Sequence, residues 1–125
     1  MKKEELSRLR QKVAILDRER RILQNRLLHP RDMVKGSIFE MMKSCGNPGC
    51  KCMKGEKHGP FKCLSVPEGG KKRIVFIRKE DRFWVAEEAA NYKKYQQKMA
   101  RLRKISQEIY EILKKVRDWK VKLYK

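Results

Sequence analysis

Between residues 45 and 63 the chain reads Cys-Gly-Asn-Pro-Gly-Cys-Lys-Cys-Met-Lys-Gly-Glu-Lys-His-Gly-Pro-Phe-Lys-Cys, a stretch holding all four cysteines and one of the two histidines. Thiolates and imidazoles in close succession are zinc ligands, and zinc takes four such donors at tetrahedral positions. Cys45, Cys50 and Cys52 follow a C-x4-C-x-C spacing, with Gly46, Pro48 and Gly49 to turn the backbone between sulfurs. His58 lies five residues past Cys52 and Cys63 eleven past it, so five candidates compete for four places. His58 is the preferred fourth ligand, because His58-Gly59-Pro60 reads as irregular backbone able to bend toward an ion. Cys63, expected on a strand face, is the alternative. Paired C-x-x-C knuckles are absent. The competing account makes the cysteines small apolar side chains in a glycine-rich loop.

A catalytic zinc would need an open coordination position and a carboxylate base. Glu56 is the one acid in the loop. The H-x-E with P-C-x-x-C arrangement of zinc deaminases is missing. So are a Ser/His/Asp set and a phosphate-cradling glycine loop, and too few acidic residues sit near one another for general acid and base work. The zinc is therefore expected to be structural and the protein not an enzyme. His29 reads as a helix-end residue.

These residues sit in a chain of 125 with 34 Lys and Arg against 15 Asp and Glu, a formal net charge of +19. A compact state of that charge repels itself, and a polyanion relieves the repulsion. A lysine-rich thermophile surface would explain the lysines, but such surfaces mix both signs. No apolar run approaches the roughly 20 residues of a membrane span. Met1-Lys2-Lys3-Glu4-Glu5 leads into an amphipathic pattern and not a signal core. A cytoplasmic location, nucleoid association included, is expected. In a reducing compartment clustered cysteines favour metal over disulfides.

Three segments must position the site. Over residues 1–28, Leu6, Leu9, Val13, Leu16, Leu23 and Leu27 step by threes and fours, with Arg20 in the remaining slot, and His29-Pro30 ends the helix. Residues 29–79 form the zinc loop and hairpin module. Ser37 to Lys43 reads as a strand entering the loop, or as a short helix capped by Ser37. Phe61 to Val66 and Arg73 to Ile77 read as strands of a hairpin, turned by Pro67-Glu68-Gly69-Gly70. From about Glu80, residues 80–125 return to helix, with Tyr92, Tyr95, Met99, Leu102, Ile105, Ile109, Leu113, Val116 and Leu123 on one face and a break possible near Asn91. The expected fold is α+β and one domain: a long antiparallel helical hairpin, or coiled coil, carrying a small zinc-bound β-hairpin module at its tip.

The stretch from Val34 to Leu64 resembles an uncharacterised bacterial and archaeal family. Gly36-Ser37, Cys45-Gly46, Cys50-Lys51-Cys52 and His58-Gly59-Pro60-Phe61 carry the resemblance, and the long C-terminal helix is similar too. Members of that family are often found beside mobile elements and transposases, which implies a DNA-linked setting and no established activity. An aromatic usually stands where this chain has Cys63, a departure that favours His58 as the fourth ligand.

The charge is uneven. Residues 91–125 carry twelve basic against three acidic side chains. Lys93, Lys94, Lys98, Arg101, Arg103, Lys104, Lys114, Lys115 and Arg117 on this helix are the leading candidates for phosphate contact. Lys71, Lys72, Arg73, Arg78 and Lys79 extend the set to the hairpin, and Lys51, Lys54 and Lys57 to the cysteine loop. Tyr92, Tyr95 and Trp84 could stack on bases, although at helical spacing aromatics more often face a core. The function expected is a zinc-stabilised nucleic-acid-binding protein, accessory to a mobile element or nucleoprotein complex, with DNA or RNA as partner. The alternative is an adaptor that docks through the zinc tip and helical arm onto a larger mobile-element enzyme or ribonucleoprotein, or onto itself.

Overall fold

A computed structural model describes residues 1–43 and 57–124. In chain order it has α1 (Lys3–Leu27), β1 (Ser37–Lys43), β2 (His58–Glu68), β3 (Lys71–Phe76), a 3-10 turn (Lys79–Asp81) and α2 (Arg82–Lys120). The chain divides into two compact units: residues 1–30 with 95–125, and residues 31–94.

In the first unit α1 and the later turns of α2 bury Leu16, Ile105 and Ile112, flanked by Leu9, Val13, Leu23 and Ile109. Tyr95 donates its hydroxyl to the carbonyl of Leu27 at 2.9 Å, satisfying one of the carbonyls a helix end leaves without an intrahelical partner. At 39 residues α2 is about 58 Å long. It runs unbroken through Asn91, where a break was expected, and the Asn91 amide donates outward to the carbonyl of Asp32.

The second unit is a three-stranded antiparallel sheet of order β1-β2-β3 against the first turns of α2. β2 is central, yet it contains Pro60 and Pro67, which have no N–H to give a ladder. The pairing explains both. β1 pairs with β2 up to Ser65, and β3 pairs from Cys63 onward. Only Cys63, Leu64 and Ser65 are paired on both sides, and each proline lies outside that overlap. Cys63 and Leu64 are the buried pair of the strand. Gly69 and Gly70, at φ +55° and +81°, close the two-residue β2–β3 turn. Gly36, at φ +132°, lets β1 enter alongside β2: a Cβ there would lie 2.7 Å from the carbonyl oxygen of Ser65.

This corrects the expected architecture in two respects. The β-module is a three-stranded sheet and not a two-stranded hairpin bound to zinc. Among the described residues no group of three or more His, Cys, Asp or Glu could hold a metal. The helices do not show a coiled-coil hairpin. A heptad seam packs helices 8–10 Å apart along its length, whereas here the main close backbone approaches belong to the strands. Toward the start of α1 the side chains leave a cavity of about 400 Å³ lined by Leu6, Leu9, Val13, Ile112, Val116 and Trp119. Farther along α1 Arg20 occupies a seam position, its guanidinium turned to Asp17.

Ile105 is fully buried at the centre of this thin contact. Ile105→Ala is expected to cost about 2–4 kcal/mol and to lower the melting temperature by on the order of 10 °C, read by circular dichroism at 222 nm.

Candidate nucleic-acid interface

The basic residues singled out from sequence fall into paired and unpaired sets. In the first unit Arg101 is occupied. Its Nε and Nη2 donate to the two carboxylate oxygens of Glu19 on α1 at 2.8 and 2.9 Å, a fork-on-fork pair. Lys114 pairs with Glu111 at 3.1 Å, and Arg117 with Asp118 at 2.9 Å. Lys98, Arg103, Lys104 and Lys115 form no ion pair among the described residues, and the last three are exposed.

In the second unit Arg73 meets Glu68 at 3.3 Å and Arg78 meets Asp81 at 2.9 Å. Lys57, Lys71, Lys72, Lys79, Lys93 and Lys94 are exposed and make no ion pair among the described residues. Exposed pairs contribute about 0.2–1 kcal/mol, so even Arg73 and Arg78 are held loosely enough for a phosphate to take them. Lys51 and Lys54 lie outside the described residues.

The proposed metal ligands are divided in the same way. Cys45, Cys50 and Cys52 lie outside the described residues. His58 is not in irregular backbone, as the sequence suggested, but opens β2, where it pairs with Lys43 across a register shift in β1. Cys63 is fully buried in mid-strand, its thiol 3.8 Å from the carbonyl of Phe61. Five residues of strand span roughly 16 Å, too far for both side chains to reach one ion with ligand bonds of about 2.0–2.3 Å. At most one of them can complete a set with the other cysteines.

A lysine absent from the sequence-derived set stands out. The Lys43 ammonium, at the end of β1, lies 4.5 Å from the centroid of the Phe76 ring. Phe61 meets the same ring edge-on, with centroids 6.1 Å apart and planes at 83°. A cation on an exposed ring contributes about 0.5–1 kcal/mol, against about 1–3 kcal/mol for a base stacked on an aromatic side chain. Alternation in Phe61 to Val66 and the β-branched and aromatic run of Arg73 to Ile77 were the signals for the strands that carry these rings. Lys43 escaped it because its strand could be assigned only weakly. Of the aromatics on α2, Tyr95 binds the Leu27 carbonyl, and Trp84 donates its Nε1–H to Asp81 at 2.9 Å.

Several carboxyls are held below their usual range by these contacts. Glu19 is lowered chiefly by the hydrogen bonds from Arg101, and Glu40 by the one from Lys62. Asp81 is lowered by the Trp84 indole first and Arg78 second.

An α+β chain with a helix-backed antiparallel sheet and an excess of cations is what fold and surface define. The chain belongs to the family described as a domain of unknown function (DUF6788), whose model matches residues 3–87. The match takes in α1 and all three strands and ends in the second turn of α2, so the resemblance expected of the C-terminal helix lies beyond it. No curated protein and no solved structure matches the chain. Among the described residues no helix is long and apolar enough to cross a membrane.

Because Glu19 has its pKa depressed in the fold, its contribution is complete above the usual 4.5 and disappears as pH falls through the lowered value. Glu19→Gln should therefore lower the melting temperature at pH 7. The gap from the parent protein should shrink steadily in melts taken below pH 4.5.

Proposed function

We propose that this chain is a non-enzymatic nucleic-acid-binding protein that engages phosphates through lysines and arginines. The observation that carries the reading is the surplus of cations left after internal pairing. Arg103, Lys104 and Lys115 on α2 are exposed without an acidic partner among the described residues, in a chain of net charge +19. Neutralising phosphates with such groups releases condensed counterions, so affinity falls steeply as salt rises. Phosphate contacts fix position without reading sequence, and the reading covers DNA and RNA alike.

The resemblance carried by Gly36-Ser37, Cys45-Gly46, Cys50-Lys51-Cys52 and His58-Gly59-Pro60-Phe61 supports an accessory role beside a mobile element, in the cytoplasm or on the nucleoid. Zinc belongs to the proposal through the cysteine spacing alone: Cys45, Cys50 and Cys52 supply three thiolates, with His58 or Cys63 as the fourth donor. An adaptor role is favoured by one feature, the apolar cavity beside Trp119, with Arg10 and Lys120 among its lining residues.

Binding of labelled duplex and single-stranded oligonucleotides, followed by fluorescence anisotropy across a salt series, tests the main reading. Converting Arg103, Lys104 and Lys115 together to Glu should weaken binding. It should also flatten the plot of log affinity against log salt by about one unit for each phosphate that is no longer neutralised. Absence of binding at low salt would remove the proposal. Metal analysis of purified protein should find one zinc per chain, and a metal-free Cys50→Ser variant would tie it to the thiolates.

A further inference from the structure

The two faces of the sheet differ. One holds Ile38 and Glu40 of β1, Lys62 and Leu64 of β2, and Val75 of β3, as the register requires. Ile38 and Lys62 line a small cavity together with Arg82 and Ala86 of α2, so this is the helix-covered face. The other face holds Phe39 and Met41 of β1, Phe61 and Cys63 of β2, and Ile74 and Phe76 of β3. Ile74 and Phe76 are 48% and 49% exposed, whereas Cys63 is fully buried and Phe39, Met41 and Phe61 half-buried, so the accessible part of this face is its β3 side. Lysines border them: Lys43 over the Phe76 ring, and exposed Lys72 one alternation beyond Ile74 on the same face.

We infer that this face binds the unpaired bases of a single-stranded nucleic acid, with Phe76 as the stacking platform and Lys43 and Lys72 as phosphate contacts. The inference rests on the nucleic-acid reading above and adds the class of ligand. Every base offers a flat π-face, so an exposed aromatic ring on the outer strand accepts any of them. Bases within a duplex are stacked on one another and present only their edges to the grooves, out of reach of a ring on a broad surface. Lys43 is not an obstacle. The cation–ring contact is the weaker of the two, so an arriving base displaces the ammonium and leaves it beside the chain's phosphate. An acidic peptide would satisfy the lysines but has no flat group to match the ring. A second copy would bring lysines against lysines.

The test uses the full chain and dye-labelled oligo-dT, oligo-U and a mixed-sequence duplex of equal length. Phe76→Leu keeps the apolar bulk and removes the π-face. It should weaken oligo-dT and oligo-U binding about tenfold, in keeping with the loss of one stacked base, and leave duplex binding unchanged. Phe76→Tyr should bind as the parent does. Lys43→Glu, at a strand end, should lower single-strand affinity even where Phe76→Leu fails to fold. Parent-like single-strand binding by both Phe76→Leu and Lys43→Glu would overturn the inference. So would a parent dimer that Phe76→Leu converts to monomer in sedimentation, or equal loss of duplex and single-strand binding. Failure of the parent protein to bind any of the three probes would instead remove the nucleic-acid reading itself.

Discussion

Arg101 and Glu19 join two helical segments that otherwise repel one another. Residues 1–28 hold nine basic against four acidic side chains, and residues 91–125 twelve against three. Against that repulsion the first unit sets a narrow apolar contact of Leu16, Ile105 and Ile112 and one two-pronged ion pair. Some of the few acidic residues are committed to cations or an indole within the fold. Asp17 takes both Arg20 and Arg21, Glu40 takes Lys62, and Asp81 takes Arg78 and the Trp84 indole. Carboxylates used in this way hold elements in place and leave surplus cations outside. The charge that makes a polyanion partner favourable is therefore the same charge that limits how tightly the helices close.

The sheet solves a different problem. Its central strand carries two prolines and a turn of two glycines, features that ordinarily mark an edge or a loop. The strand survives because its neighbours overlap along three residues only, and those residues include its buried ones. Pairing on both sides is confined to where side chains are covered, while the ends of β2 are paired on one side and tolerate proline. Among the described residues β3 has no partner on its outer edge, and all six of its side chains are exposed. A basic edge of Lys71, Lys72 and Arg73 discourages the pairing with other chains that such an edge invites.

Much of this was legible in the residues. The step of threes and fours placed α1 within a residue or so at each end. Ser37 to Lys43 was one of two readings of its stretch, and it is β1. What could not be read was long-range. Nothing local says that β1 adds to the hairpin, because that pairing depends on Gly36 approaching the Ser65 carbonyl, 29 residues away in sequence. His58 looked like loop because Gly59 and Pro60 follow it, and it became strand through its cross-strand partner Lys43. Tyr95 and Arg101 read as face and charge respectively, yet their partners, Leu27 and Glu19, lie in the other helix. The candidate site was least legible where it needed two strands at once, since neither Lys43 nor Phe76 announces the other.

A helix such as the later part of α2 can offer a nucleic acid charge and little else. Its apolar face is turned to α1, and lysines and arginines on the remaining surface recognise any phosphate chain, paired or not. Telling strands apart requires something that responds to whether bases are stacked. A ring exposed on the outer strand of a sheet does so, because a base must leave its stack before it can lie on it. The energetic difference is physical and not compositional: stacking adds about 1–3 kcal/mol per base and depends little on salt, whereas phosphate contacts fade with counterion concentration. Discrimination between single strands and duplexes should therefore sharpen as salt rises, provided the sheet face carries it. If phosphates on α2 were the whole of the interaction, the two ligands would diverge with salt only as far as their counterion slopes differ, about 0.9 per phosphate for duplex against about 0.7 for single strand.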